Sequence, residues 1–235
     1  MPPPSTSNES SLTLMERLLS RGFNENAARI LIAAAHLFGK KGYTATSVRE
    51  IVKEADVTNP VLYYYFESKE GVFHRLLDVV QDALHSAIEE AISIHQRVQD
   101  RLEAIITALF AGLQFAPELI RFVYSVLFGP VQSRPDANIF AFQEKLHEML
   151  CGVFEEAIDR GEFALRPKRT IEFLSDQFMG VVNNHMMFAF AILEFGPCST
   201  QRDQLLNDYI GPDARRGLLD FFFHGAGTLA NQETP

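Results

Sequence analysis

Residues 46–69 read TSVREIVKEADVTNPVLYYYFESK, and the fold of the chain turns on them. Ser47 and Glu50 stand three apart just ahead of an apolar run. At that spacing the hydroxyl caps a helical amide while the carboxylate reaches back to the N–H of the capping residue. A short helix is therefore predicted from Ser47 to about Glu54. A second follows the bend Asp56-Val57-Thr58, with Thr58 at the cap and Pro60 in the first turn, where a missing N–H does no harm. It ends at Tyr65 or Phe66. Val48, Ile51, Val52 and Ala55 on the first helix meet Val57, Leu62 and Phe66 around the second. Upstream, Ala27, Ile30, Leu31, Ala34, Leu37 and Phe38 repeat at the three-and-four spacing of one buried helix face. That helix opens near residues 24–26 and closes at Gly42, after Lys40 and Lys41, whose charge suits a helix C-terminus. Ile30, Ala34 and Phe38 close a small core over the pair, which makes a helix-turn-helix. With the inward positions used, Asn59, Val61, Tyr64 and Tyr65 face out. Two tyrosines and a valine on one short outward face suit a helix placed in a major groove.

Outward from this segment, proline and glycine punctuate helical patterns, and strand-like alternation is absent. A fourth helix opens at Ser68 and runs to about Ile92 through Leu76, Val80, Leu84 and Ile88. Pro117 opens another, closed by Gly129-Pro130, and one from about Asp136 ends at Gly161. A long one opens at Pro167 and stops at Gly196-Pro197, and Gly211-Pro212 opens the last, to about Ala226. The predicted fold is all-α, with about nine core helices: a three-helix helix-turn-helix domain and a larger C-terminal helical domain. The expected boundaries are 1–23 for an N-terminal extension, 24–70 for the helix-turn-helix and 71–235 for the larger domain. In the extension, residues 1–11 are polar and proline-rich and are expected to be disordered, with an optional short helix over 12–19. Arg17 and Arg21 make it either a DNA-contacting arm or a packing helix.

Composition narrows the function. The net charge of −9 disfavours nonspecific nucleic-acid binding by the whole molecule. Between Glu25 and Arg75, however, seven bases (Arg29, Lys40, Lys41, Arg49, Lys53, Lys69, Arg75) face six acids (Glu25, Glu50, Glu54, Asp56, Glu67, Glu70), so this segment is +1 and the remainder −10. The 20 phenylalanines, with no tryptophan, imply a bulky aromatic core or an aromatic-lined cavity. No Gly-rich phosphate loop, nucleophile motif or metal-ligand spacing is present, and Glu144 with His147 lacks the second copy that a paired carboxylate–histidine metal site needs. No enzyme, no cofactor and no metal are expected. Cys151 and Cys198 are too few for a disulfide scaffold; a thiol-based sensor using them is the rival reading, and a helical ligand carrier without DNA binding is another. The longest apolar run, 186–193, falls short of the roughly 20 residues of a membrane span. A soluble, cytoplasmic protein is expected.

The run Gly42-Tyr43-x-x-Thr46-Ser47-Val48-Arg49-Glu50-Ile51, the turn Ala55-x-Val57-Thr58, and Leu62-Tyr63-x-x-Phe66-x-x-Lys69-Glu70 together resemble the TetR family of transcription regulators. The likeness covers residues 27–77; beyond it only the helix layout is similar. By that resemblance Thr46 and Ser47 are phosphate anchors at a helix N-terminus, and Arg49 occupies a position that reaches base edges. Thr58, Asn59, Pro60 and Val61 form the groove-facing start of the recognition helix. There Asn pairs with adenine and Val touches a thymine methyl. Tyr63, Tyr64, Tyr65 and Lys69 supply mixed phosphate and base contacts. One departure is Asp56, where many relatives carry glycine; Asp tolerates left-handed geometry better than most residues.

The family also implies a homodimer on near-palindromic double-stranded operator DNA and a small-molecule effector. The last two long helices are the expected interface, through Phe178, Val182, Leu218, Phe221 and Phe222. Three consecutive phenylalanines, 221–223, cannot all face one side of a helix, so at least one is left for a partner. An apolar or amphipathic effector is expected among Phe110, Phe115, Phe122, Tyr124, Phe128, Phe140, Phe142, Met149, Phe178, Asn183 and Met186, although for any one of these the filled core is the competing role. No membrane partner is expected.

Overall fold

A computed structural model describes residues 13–197 and 200–225. Among them no strand occurs, and the chain forms eleven α-helices: α1 Leu14–Ser20, α2 Glu25–Lys41, α3 Val48–Glu54, α4 Asn59–Phe66, α5 Lys69–Ile94, α6 Val98–Phe115, α7 Pro117–Phe128, α8 Ile139–Asp159, α9 Ile171–Phe195, α10 Thr200–Ile210 and α11 Pro212–His224. The all-α prediction holds, with ten helices behind the short leading one where about nine were expected. The sequence offers little to separate α6 and α10. No proline or glycine precedes α6, only His95-Gln96-Arg97, and α10 (TQRDQLLNDYI) is too polar to show a stripe. Helix α9 begins at Ile171, not at Pro167. Thr170 caps it by accepting the Phe173 N–H, and Lys168 just upstream sits at φ 65° in a turn.

The chain divides into two compact units, one holding the described residues up to Ala83 together with Gly112–Phe140, the other Leu84–Ala111 with the described residues from Ala141 on. This corrects the expected boundary at residue 70. The helix-turn-helix takes in the first half of α5 and recovers α7 from much further along the chain, because its core is incomplete without them. In that first unit, Ile30, Leu31 and Phe38 of α2, Ile51 of α3, Leu62 of α4, Phe73 and Leu76 of α5 and Phe122 of α7 are each 1% exposed or less. Phe38, Phe73 and Phe122 meet with ring centroids 5.4 to 6.1 Å apart, and Tyr43 lies 5.4 Å from both Phe38 and Phe73. Helix α7 can approach α2 this closely because Gly39 faces it; a Cβ there would stand 3.2 Å from the Arg121 side chain. Thr44 adds a tie by donating to the Ser133 carbonyl at 2.7 Å.

Helix α1 closes the same unit. A Thr13–Glu16 capping box starts it, and Leu18 is buried. The Arg17 guanidinium lies 3.9 Å from the Phe115 ring centroid, and Arg21 donates to the Val79 carbonyl at 3.2 Å. Both arginines are spent inside the chain, as a packing helix requires.

The second unit packs Leu102, Ile105, Phe110, Leu150, Phe154, Phe178, Val182 and Ala189 into its core, with Phe222 5.4 Å from Phe178 and 5.9 Å from Phe154. The buried Arg101 is fully engaged, donating to the His95 carbonyl and pairing with Glu156 at 2.6 Å. Among the described helices α9 alone is by itself long and apolar enough to cross a membrane, which the 186–193 run did not suggest. Its inner face is already taken up by α10 and α11, and Glu172, Asp176 and Asn183-Asn184 are exposed along it.

Candidate nucleic-acid interface

The predicted capping box of α3 is present. The Ser47 hydroxyl accepts from the Glu50 N–H, while the Glu50 carboxylate accepts from the Ser47 N–H at 2.9 Å and its hydroxyl at 2.8 Å. Lys41, from the end of α2, adds a contact to Glu50 at 2.5 Å. The hydrogen bond from Lys41, followed by those from Ser47, holds the Glu50 carboxyl down at about 2. Because its folded value is depressed, this group contributes stability above the unfolded value near 4.3 and loses it as pH falls through about 2. Glu50→Gln should therefore flatten the acid limb of a pH–melting profile between about pH 4.5 and 2. The change should be small, because the pair is solvent-screened. An acid limb identical to the parent's would refute this role for the cap.

The bend after α3 is made by Asp56, at φ 53°, with the Val57 N–H returning to the Val52 carbonyl at 3.0 Å. Here the sequence reading is accurate: the position needs left-handed backbone, and Asp accepts it where most side chains resist. Its carboxylate is exposed but stands 3.7 Å from Arg29, so the charge it brings is not isolated.

Helix α4 turns Leu62 and Phe66 inward and leaves Thr58, Asn59, Pro60, Tyr63 and Tyr64 outward. Thr58 holds the cap position, yet its hydroxyl makes no cap bond. Tyr64 is 81% exposed and Tyr63 48%. Val61 and Tyr65, expected to face fully out, are half-buried against the core, so the outward face is narrower than the spacing implied. Tyr65 still meets Tyr64 edge-on, centroids 5.0 Å apart, and supports it from behind.

Two expected phosphate contacts are corrected. Thr46 is buried: its hydroxyl donates to the Gly42 carbonyl at 2.8 Å and its N–H to that of Tyr43 at 3.1 Å. The Lys69 ammonium donates to the carbonyls of Tyr43 and Thr46 at 2.9 and 2.8 Å and lies 4.0 Å from the Tyr43 ring centroid. Burial, and then the Lys41 charge, lower its pKa. Lys69 is a clamp that sets the loop entering α3, not a free cation. Between Glu25 and Arg75 the exposed cations with no recorded ion pair are Lys40, Arg49 and Lys53. Sequence reading had singled out only Arg49. Lys53 shares its helix face, one turn further on, and that spacing was the available signal.

The other expected sites fare unevenly. Of the interface residues, Phe178, Val182 and Leu218 are buried in their own unit and Phe222 is packed on Phe154 and Phe178, which corrects their assignment; Phe221 is 47% exposed, as the run of three phenylalanines required. The expected pocket residues are divided between the two units. Phe115, Phe122, Tyr124 and Phe128 belong to the first unit, Phe110, Met149, Phe178, Asn183 and Met186 to the second. Phe122 fills the helix-turn-helix core and Phe115 carries Arg17, whereas Phe128 is 79% exposed beside the half-buried Tyr124. Phe110, Phe178 and Met186 are core, Met149 is half-buried, and Asn183 faces outward, where its amide needs no internal partner. The side chains of Phe140 and Phe142, and Cys198, lie outside the described residues.

Residues 30–76 match the family model for bacterial regulatory proteins of the tetR family. The chain is 30% identical to the probable transcriptional regulator YttP of Bacillus subtilis over 137 residues, 57% of this chain and 63% of that one. It is 25% identical over 141 residues to the transcriptional repressor KstR2 of Mycobacterium tuberculosis, 60% of this chain and 70% of that one. The solved structure of that ketosteroid regulator superposes with a TM-score of 0.62 at 18% identity, covering 83% of this chain and 95% of its own. Bacillus subtilis FadR, solved in complex with stearoyl-CoA, gives a TM-score of 0.64 at 18% identity over 85% and 98% of the two chains. Motif, turn geometry and relatives agree on the N-terminal part: residues 30–76 match the tetR-family regulatory domain, and within that match the helix-turn-helix is α3 and α4.

Proposed function

We propose that this protein is a ligand-responsive repressor that binds a near-palindromic operator as a homodimer and lets go when an apolar or amphipathic small molecule binds. One observation carries the reading: α4 offers Thr58, Asn59, Pro60, Tyr63 and Tyr64 outward from a tightly packed base, with Arg49 and Lys53 unpaired beside it. An exposed ring-rich helix end backed by cations fits base edges and phosphates together. Ser47, exposed at the α3 N-terminus, completes the phosphate-facing edge. On this reading the chain has no enzymatic role and works in the cytoplasm, as befits a soluble DNA-binding protein.

The effector class is supported by two related folds, one crystallised with stearoyl-CoA and one a ketosteroid regulator. Release requires the effector to prefer the DNA-incompetent state, since equal affinity for both states shifts nothing. Helix α5 contributes residues to both units and is the natural carrier of the signal. The partner face is the outer side of α9 and α11. Phe173 (38% exposed), Met187 (53%), Phe188 (46%) and Phe221 (47%) expose more apolar surface than a solvated helix pair needs.

Met187→Glu with Phe188→Glu should give a folded monomer in sedimentation. Operator affinity should then fall by roughly 10²-fold or more as the two-site linkage is lost. A variant that still sediments as a dimer would place the interface elsewhere. Stearoyl-CoA added to the parent's operator complex should raise the free-DNA fraction; saturating stearoyl-CoA and a ketosteroid both leaving the complex intact would count against the effector class.

A further inference from the structure

Three side chains in the second unit stand in line. Cys151 Sγ is 3.4 Å from His147 Nε2, and His147 Nδ1 is 3.2 Å from Asp176 Oδ1. His147 and Cys151 are four residues apart on α8, and so share a face; Asp176 comes from α9. In the tautomer that turns Nδ1–H toward this carboxylate, the Nε2 lone pair is left toward sulfur. Nucleophile, base and orienting group thus occur in the order that activates a thiol. The thiol is free and only half-buried. No metal reading competes: among the described residues no group of three or more His, Cys, Asp or Glu is placed to hold an ion.

The surroundings select the reagent. Burial, with Glu172, Glu155 and Asp176 nearby, raises the thiol against the partial help of a bond from Ser175. Little standing thiolate follows, so reaction depends on removing the proton as the bond forms. The same carboxylates repel anionic reagents. We infer that Cys151 is a covalent acceptor for small neutral electrophiles carrying an activated carbon–carbon double bond, such as enones, with His147 as its base and Asp176 as a positioning residue. In the step, the thiol proton passes to His147 Nε2 as sulfur bonds to the β-carbon and the π pair moves toward the carbonyl. The imidazolium then returns the proton to the enolate. The product is a thioether, with no oxidant consumed and the imidazole restored.

The test uses the full chain carrying Cys198→Ser, which leaves Cys151 as its one thiol. N-ethylmaleimide should give a single adduct by intact mass. His147→Gln should slow its formation at pH 7 by about a hundredfold, and Asp176→Asn by less. The His147→Gln rate should climb tenfold per pH unit, as a plain thiolate does, and the parent's more gently. Without any substitution at the triad, the iodoacetamide-to-iodoacetate rate ratio should exceed that of free cysteine, a readout that survives if His147→Gln fails to fold. Equal maleimide rates in folded parent and His147→Gln, or a reagent ratio no larger than that of free cysteine, would overturn the assignment.

Discussion

Tyr64→Ala is expected to weaken operator binding by roughly 10- to 100-fold, the effect of losing about 1–3 kcal/mol of a base-edge contact. It should do so without touching the fold. Tyr64 is 81% exposed, and its recorded ring contact is the edge of Tyr65, so no buried surface is lost. Surface changes of this kind stay within about 0.5 kcal/mol of parent stability. Asn59→Ala, at the exposed start of the same helix, should behave alike and relax the preference at a single base-pair position. Lys69→Gln makes the contrast. Its ammonium is committed to the Tyr43 and Thr46 carbonyls, so it should lower the melting temperature and leave the salt slope of binding unchanged, whereas Arg49→Gln or Lys53→Gln should reduce that slope by about one unit each. Fluorescence anisotropy at several fixed salt concentrations, with circular dichroism on the same samples, separates these. Unchanged affinity in Tyr64→Ala would remove the tyrosine from the reading face.

Phe122→Ala should cost about 3–5 kcal/mol, roughly a fifth or more of the 5–15 kcal/mol that a domain typically holds in reserve. Phe122 is fully buried between Phe38 and Phe73, 6.1 and 5.4 Å away by ring centroids. The facing backbone is fixed by the Gly39–Arg121 approach, so the cavity has little room to collapse. The loss should appear where the sequence gives no hint of it, in α2, α3 and α4, as faster amide exchange and weaker operator binding on warming. Equilibrium unfolding in urea measures the cost. A change under about 1 kcal/mol would mean that α7 is not part of the helix-turn-helix core.

What the sequence disclosed follows from the range of the interactions involved. Helices α2, α3 and α4 were legible to within a residue or two, since their caps, their apolar spacing and the left-handed Asp56 are all set by near neighbours. Thr46 and Lys69 were misread because polar residues at a helix entrance look exposed until the Tyr43 loop is folded back on them. Phe122 was taken for a cavity lining because its partners, Phe38 and Phe73, lie far upstream in sequence. On α9, counting apolar residues found the surplus but not its side. Phe178 and Val182 went inward, while Phe173, Met187, Phe188 and Phe195 stay exposed. For Phe221–Phe223 the geometric constraint was local, and the outcome matched it, with Phe221 left out while Phe222 and Phe223 pack on Phe154 and Phe163.

Selection of bound duplexes from a random pool, using the full chain at fixed salt, bears most directly on whether the outward face of α4 reads DNA. The expected product is a two-fold symmetric consensus with half-sites about one helical turn apart or more, lost when Tyr64 and Asn59 are both alanine. A pool that stays random through successive rounds, or an enriched site to which the double variant binds equally well, would contradict it.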